Sequence, residues 1–248
     1  MGVFSFDEAK KIMKISNDSL KNVIYRLKKK KRIIEIKKGK YLFVPAKAGI
    51  GGHWSEFTFR ALPKLLGKNY YVGFWTALNY WRMTEQYPVV CFVAITKRAK
   101  DFEFSNQKIK FVTISKKKFF GFEKQKAKDA EFSISSREKT VIDCLLFPQH
   151  CGGISEAAKG LWNARKEIKW NTLLEYAEKT GVKAAKRRLG FVLEELKIKK
   201  DIQKKLKEEF VGFAWADPSA SKSKFEYNKK WGLKVNIEKE QLTQWMES

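Results

Sequence analysis

Glu138, Lys139 and Asp143 make the most catalytic-looking cluster in this 248-residue chain, two carboxylates and an amine within two helical turns. Their spacing also suits an ordinary helix start. Ser135 and Glu138 fit a capping box, in which each side chain takes the other's free backbone N–H. Asp143 then lies one turn beyond Lys139, where an i, i+4 ion pair forms. Local structure therefore accounts for both acids without chemistry. Asp101 and Glu103, after a strand ending at Lys97, supply part of what a nuclease metal site needs, which is clustered carboxylates around a divalent ion. The third acid and the lysine of such a site are not identifiable. His53 and His150 are the only histidines, too few for an acid–base pair, and each reads as an interfacial or loop residue. Cys91, Cys144 and Cys151 form no C-x-x-C pair, and His150-Cys151 with distant Cys144 is not a zinc spacing. Neither a phosphate-binding G-x-x-x-x-G-K-[ST] loop nor a G-x-G-x-x-G after a strand is present. The sequence predicts no catalytic residue, no metal and no cofactor. Trp75, Trp81, Trp162, Trp170, Trp215 and Trp231 sit in apolar patterns and read as core rather than base-stacking residues.

The residues better suited to chemistry of recognition lie near the amino terminus. Asn17, Ser19, Asn22 and Arg26 are side chains of the kind that read base edges; Asn pairs with adenine and Arg with guanine through two hydrogen bonds each. Ser16, Lys21, Tyr25 and Lys29 flank them, and Lys37, Lys38 and Lys40 surround Gly39. Positioning them requires a helix and a hairpin. Leu20, Val23, Ile24 and Leu27 recur at i, i+3, i+4 and i+7, one apolar stripe. A step of about 100° per residue puts Asp18, Asn22, Tyr25, Arg26 and Lys29 on the opposite side. Ser16 is the expected N-cap. A shorter helical pattern, Phe6 to Met13, precedes it, and two β runs, Ile33–Ile36 and Tyr41–Val44, follow. This is the order of a winged helix-turn-helix, with its second helix aimed at the major groove and lysines at the hairpin tip aimed at phosphates. A winged domain normally has one more helix in front, and only Met1 to Ser5 precede Asp7. Either that helix is missing or another segment packs in its place.

Charge points to the same partner. The chain carries 52 basic and 27 acidic residues, a net charge of +25. Thermophilic proteins raise Glu together with Lys, which this imbalance does not do, so a polyanionic partner is favoured. Residues 1 to 48 hold 14 basic residues against four acidic ones, a net of +10. A second basic cluster, Lys183, Lys186, Arg187 and Arg188, falls on a predicted helix and either extends the phosphate footprint, meets an acidic partner or is a solvated face. No apolar run is long enough to span a membrane and no signal peptide is visible, so the expected location is the cytoplasm, with no membrane partner. The sparse, odd set of cysteines suits reduced thiols there.

The organisation expected is α+β: a winged helix-turn-helix over 1–47, a small-residue linker over 48–53, and a larger mixed domain over 54–248 with a small sheet and a helical carboxyl-terminal part. Strands are expected over 89–96, 108–114 and 130–134, the first buried on both faces. Helices are expected over 56–66, 139–147, 154–164, 170–180 and 184–196, and further β runs over 210–215 and 231–237.

Several segments together resemble a family. Tyr71-Val72-Gly73-Phe74-Trp75-Thr76-Ala77-Leu78 is similar to the "Y-x-S-x-x-S-A-L" helix of AbiEi-type antitoxins, from type IV toxin–antitoxin and viral-defence loci. Val93 to Arg98 is similar to that family's strand ending in basic residues, and Phe119-Phe120-Gly121-Phe122 to its aromatic–glycine segment. Ser136 to Asp143 resembles its "x-x-E-K-T-L-x-D" helix, followed by Pro148 and Gly152-Gly153-Ile154. Lys186 to Glu194 and Trp231 to Asn236 complete the series. Gly73 and Phe74 depart from the family's small polar positions. The resemblance implies a transcriptional autorepressor that binds inverted-repeat operator DNA, as a homodimer where the site is palindromic, and an antitoxin for a nucleotidyltransferase-like toxin. Two other readings fit the same residues: a metal-dependent nuclease targeted by the winged domain, and a non-specific, chromatin-like DNA binder.

Overall fold

A computed structural model describes residues 3–43, 54–104, 107–127 and 130–246. The architecture is α+β. At the amino terminus, β1 (Val3–Ser5) leads directly into α1 (Phe6–Met13), then α2 (Asn17–Lys29), β2 (Ile33–Lys37) and β3 (Lys40–Phe43). The three strands pair antiparallel in the order β1-β3-β2. Ser5 and Glu8 form a full capping box at the start of α1: Ser5 Oγ accepts from the Glu8 amide at 3.1 Å, and Glu8 Oε2 accepts from the Ser5 amide at 2.6 Å. Ala9, Leu20, Ile24, Ile33 and Tyr41 bury a small core between the helices and one face of this sheet.

The other face of this sheet is covered from further along the chain. Leu42 and Ile34 pack with Phe59 and Leu62 of α3 (Trp54–Leu66), which also touches β1. A later helix thus packs against the unit. The expected linker, 48–53, lies outside the described residues.

The centre is a six-stranded mixed sheet of β4 (Tyr70–Val72), β5 (Val90–Ile95), β6 (Phe102–Phe104), β7 (Gln107–Thr113), β8 (Phe122–Ala127) and β9 (Ala130–Ser135), in the order β6-β7-β5-β4-β9-β8. Strand alternation sorts its residues cleanly. Tyr70, Val72, Cys91, Val93, Ile95 and Phe132 face α3, where Phe59 stacks on Phe132 with ring centroids 4.5 Å apart. Tyr71, Phe92, Ala94 and Val112 face the other way. β5 is buried on both sides, as its continuous apolar run predicts. β6 and β8 are not visible in the sequence pattern: β8 reads FEKQKA, a polar edge strand held by its pairing with β9.

Beyond the sheet, α4 (Phe74–Tyr80) and α5 (Arg137–Leu146) lead into α6 (Gly153–Asn163), α7 (Trp170–Lys179), α8 (Lys183–Glu195) and α9 (Lys200–Leu206). α5 is the hub, buried from Glu138 to Leu145 and packed against α4, α6, α7 and α8. A third sheet, β10 (Ala214–Trp215), β11 (Glu226–Asn228) and β12 (Leu233–Val235), lies near the carboxyl terminus with α10 (Lys239–Thr243) after it. Its strands are shorter than the β runs expected at 210–215 and 231–237. No helix among the described residues is long and apolar enough to cross a membrane.

Candidate nucleic-acid interface

α2 owes its position to its own sequence. Ser16 caps it, with Oγ accepting from the Ser19 amide at 3.2 Å and donating to the Ser19 hydroxyl at 2.9 Å. Leu20 and Ile24 anchor one face in the core, with Val23 and Leu27 half-buried beside them. The opposite face is left to solvent. Asn22, Tyr25, Arg26 and Lys29 are exposed along it, and Asn17, Ser19 and Lys21 are exposed beside it. Tyr25 is 66% exposed, which for an aromatic ring is a surface role. Lys21 is bound to Asp18 at 3.0 Å, so part of its charge is already answered within the helix.

The β2–β3 hairpin is braced against the end of α2. Glu35 takes the Lys28 ammonium at 2.5 Å and the Gly39 amide at 3.3 Å. Hydrogen bonding to Lys28 holds the Glu35 carboxyl below its ordinary value, and the same bond raises Lys28. Gly39 turns the hairpin at φ +73°, a conformation that favours glycine, and its carbonyl accepts from the Phe6 amide at 3.0 Å. Lys38 and Lys40 are exposed at this turn; Lys37 lies on β2 opposite Lys40, where the pairing shifts register. The surface offers amides, hydroxyls, one guanidinium and several ammonium groups, with the Asp18 carboxylate paired to Lys21, a set suited to base edges and phosphates.

The second basic cluster is corrected by the structure. Arg187 and Arg188 are buried. Arg188 donates to the Leu145 carbonyl at 2.7 Å and the Trp215 carbonyl at 3.0 Å, and burial lowers its pKa. Arg187 donates to the Gly212 carbonyl at 3.3 Å and lies over the Phe210 ring. Lys186 pairs with Glu208 at 3.0 Å. Lys183 alone of the four is exposed. The reason is that α8 is buried nearly all round, and a guanidinium can satisfy several backbone carbonyls at once where segments meet. Sequence periodicity sees the charge and not the carbonyls around it.

The Glu138 cluster is structural, but with different partners from those expected. Ser136, not Ser135, caps α5, accepting from the Lys139 amide at 3.2 Å. Ser135 instead bonds Thr140 at 2.7 Å. Glu138 accepts from the Lys169 amide at 2.9 Å, at the start of α7. Lys139 and Asp143 do form their ion pair, fully buried, and the Tyr71 hydroxyl donates to Asp143 at 2.8 Å. The Lys139 ammonium also lies over the Tyr71 and Phe120 rings. Burial pushes the Asp143 carboxyl up, against the pull of Lys139 and Tyr71. Asp217, unremarked in the sequence, accepts from the Ile154 amide at 2.7 Å at the start of α6, and its own amide donates to Asn236 at 3.0 Å. Asp101 accepts from the Phe111 amide at 2.8 Å, and among the described residues no group of three His, Cys, Asp or Glu side chains is placed to hold a metal ion. Cys91 is buried and its thiol is pushed up to about 12 by that burial.

Segments far apart in the sequence meet in the interior. Tyr71 meets Lys139 and Asp143, Gly121 accepts from the Ser136 amide, and the Trp231 indole lies so close over Gly190 that a Cβ there would sit 2.0 Å from the ring.

No family model and no curated protein matches the chain. Among solved structures, the RV2827C protein from Mycobacterium tuberculosis is similar in fold, with a TM-score of 0.63 over 100% of this chain and 90% of that one, at 11% sequence identity.

Proposed function

We propose that the chain is a DNA-binding transcriptional repressor whose amino-terminal unit is a winged helix-turn-helix, with the remainder serving as the antitoxin of a nucleotidyltransferase-like toxin. One observation carries the DNA reading. A capped helix fixed by Leu20 and Ile24 presents Asn17, Ser19, Asn22 and Arg26 outward, next to a braced hairpin with Lys38 and Lys40 exposed. Base-reading and phosphate-binding groups then sit on adjoining elements, as major-groove recognition requires. The net charge of +25 supplies the attraction. The antitoxin role rests on the resemblance alone.

Binding to the DNA upstream of the chain's own reading frame tests the reading. Anisotropy against that duplex and a shuffled duplex at matched salt should show at least a hundredfold preference for the former. Equal affinity would instead describe a non-specific, chromatin-like binder. Plasmid incubated with magnesium or manganese should remain intact; cutting that a chelator stops would establish a nuclease.

A further inference from the structure

The carboxyl-terminal sheet carries a surface that the winged unit does not need. Phe213 and Trp215 lie two residues apart around β10, and Phe225 and Tyr227 two apart around β11, so each pair shares a face. In the ladder, Lys234 of the central strand is the partner of both Trp215 and Tyr227. Its ammonium lies 5.1 Å from the Trp215 ring centroid, 5.3 Å from Phe225 and 6.0 Å from Tyr227, with Lys222 also over Trp215. The neighbouring residues of β12 do the opposite: Leu233 is buried in the helical core and Val235 packs against it. The sheet therefore keeps one face for the core and a ring-and-lysine face for the outside.

Part of this outer face is open to solvent, while Trp215 is half-buried and Lys234 lies over three of its rings. Phe213 and Phe225 are each 38% exposed and Tyr227 is 57% exposed. The rings meet edge to face, Phe213–Tyr227 at 69°, Trp215–Phe225 at 83° and Phe225–Tyr227 at 84°, so none is stacked on another. The platform is also held firmly, since Arg188 binds the Trp215 carbonyl. Open aromatic rings interleaved with lysines are the chemistry that binds unpaired bases: rings take the base faces and ammonium groups take the phosphates, with little regard to sequence. Duplex DNA hides its base faces and cannot use it.

We infer that this face is a second nucleic-acid site, which takes an unpaired DNA strand by stacking on Phe213, Trp215, Phe225 and Tyr227 with Lys222 and Lys234 on its phosphates. The lysines at this face disfavour a basic partner, and DNA is taken as the strand because the inference rests on the DNA-binding reading proposed above.

The test measures full-length protein against labelled oligo(dT), the matching oligo(U), a hairpin duplex and a poly-glutamate peptide. Phe225→Ala/Tyr227→Ala should weaken oligo(dT) binding at least tenfold and leave the duplex within twofold. Lys234→Gln, which removes no ring, should lower the salt slope for oligo(dT) by about 0.7. Both variants should keep the circular dichroism of the parent, because the altered side chains are at the surface. Unchanged oligo(dT) affinity in both variants, or equal losses for single strand and duplex, overturns the assignment. Tighter binding of oligo(U) than oligo(dT), or loss of the peptide alone, overturns it in favour of RNA or an acidic protein.

Discussion

Lys139 shows how far residue type and residue role can part. On sequence it belongs to the most reactive-looking cluster of the chain, yet it is completely buried, paired with Asp143 and enclosed by the rings of Tyr71 and Phe120. A buried pair gives little net stability over apolar replacements, but removing one partner strands the other charge. Lys139→Ala should therefore cost about 3–5 kcal/mol in urea unfolding, whereas Lys139→Met with Asp143→Leu should lie much nearer the parent. A loss below about 1 kcal/mol for the single variant would remove the network's structural role. The pair itself was legible, because i, i+4 spacing is local. Its third member was not, since Tyr71 arrives from a strand 72 residues away. Arg187 and Arg188 failed in the same way, their carbonyl partners being supplied by other segments.

At the level of elements, local signals held where they are self-contained. Ser16 caps α2 and the Leu20–Ile24 stripe is buried, because both depend on neighbours within one or two turns. Edge strands β6 and β8 escaped because their pairing, not their composition, makes them strands. The β2–β3 hairpin presents Lys38 and Lys40 in the proposed interface, and its brace is pH-dependent. Glu35 has a folded pKa depressed by its bond to Lys28. A depressed acid contributes stability that is present above its unfolded value, near 4.5, and is lost as pH falls through the folded value. Both partners are partly exposed, so the contribution should stay under about 1 kcal/mol. The Gly39 amide resonance, bound to Glu35, should shift with a midpoint below 4.5, and the shift should vanish in Glu35→Gln. A Gly39 amide that does not move over that range would contradict the brace.

Across the whole molecule, the helix expected over 56–66 is α3, and what the sequence could not reveal is what it packs against. It packs on the large sheet through Phe59 and Leu62 and on the small one through Leu42 and Ile34, so the amino-terminal unit shares a core with the rest. The basic residues of α1, α2 and the β2–β3 hairpin are thereby carried on a unit that packs against the body of the chain. Charge of this kind gives affinity, and only groups on base edges give preference. That division is the central claim, and salt-dependent binding of three proteins to upstream and shuffled duplexes tests it directly. Arg26→Ala should lose most of the preference for the upstream site while keeping its affinity for shuffled DNA. Lys38→Ala should weaken both duplexes alike and lower the salt slope by about 0.9. Equal effects of the two substitutions on both duplexes would contradict the account.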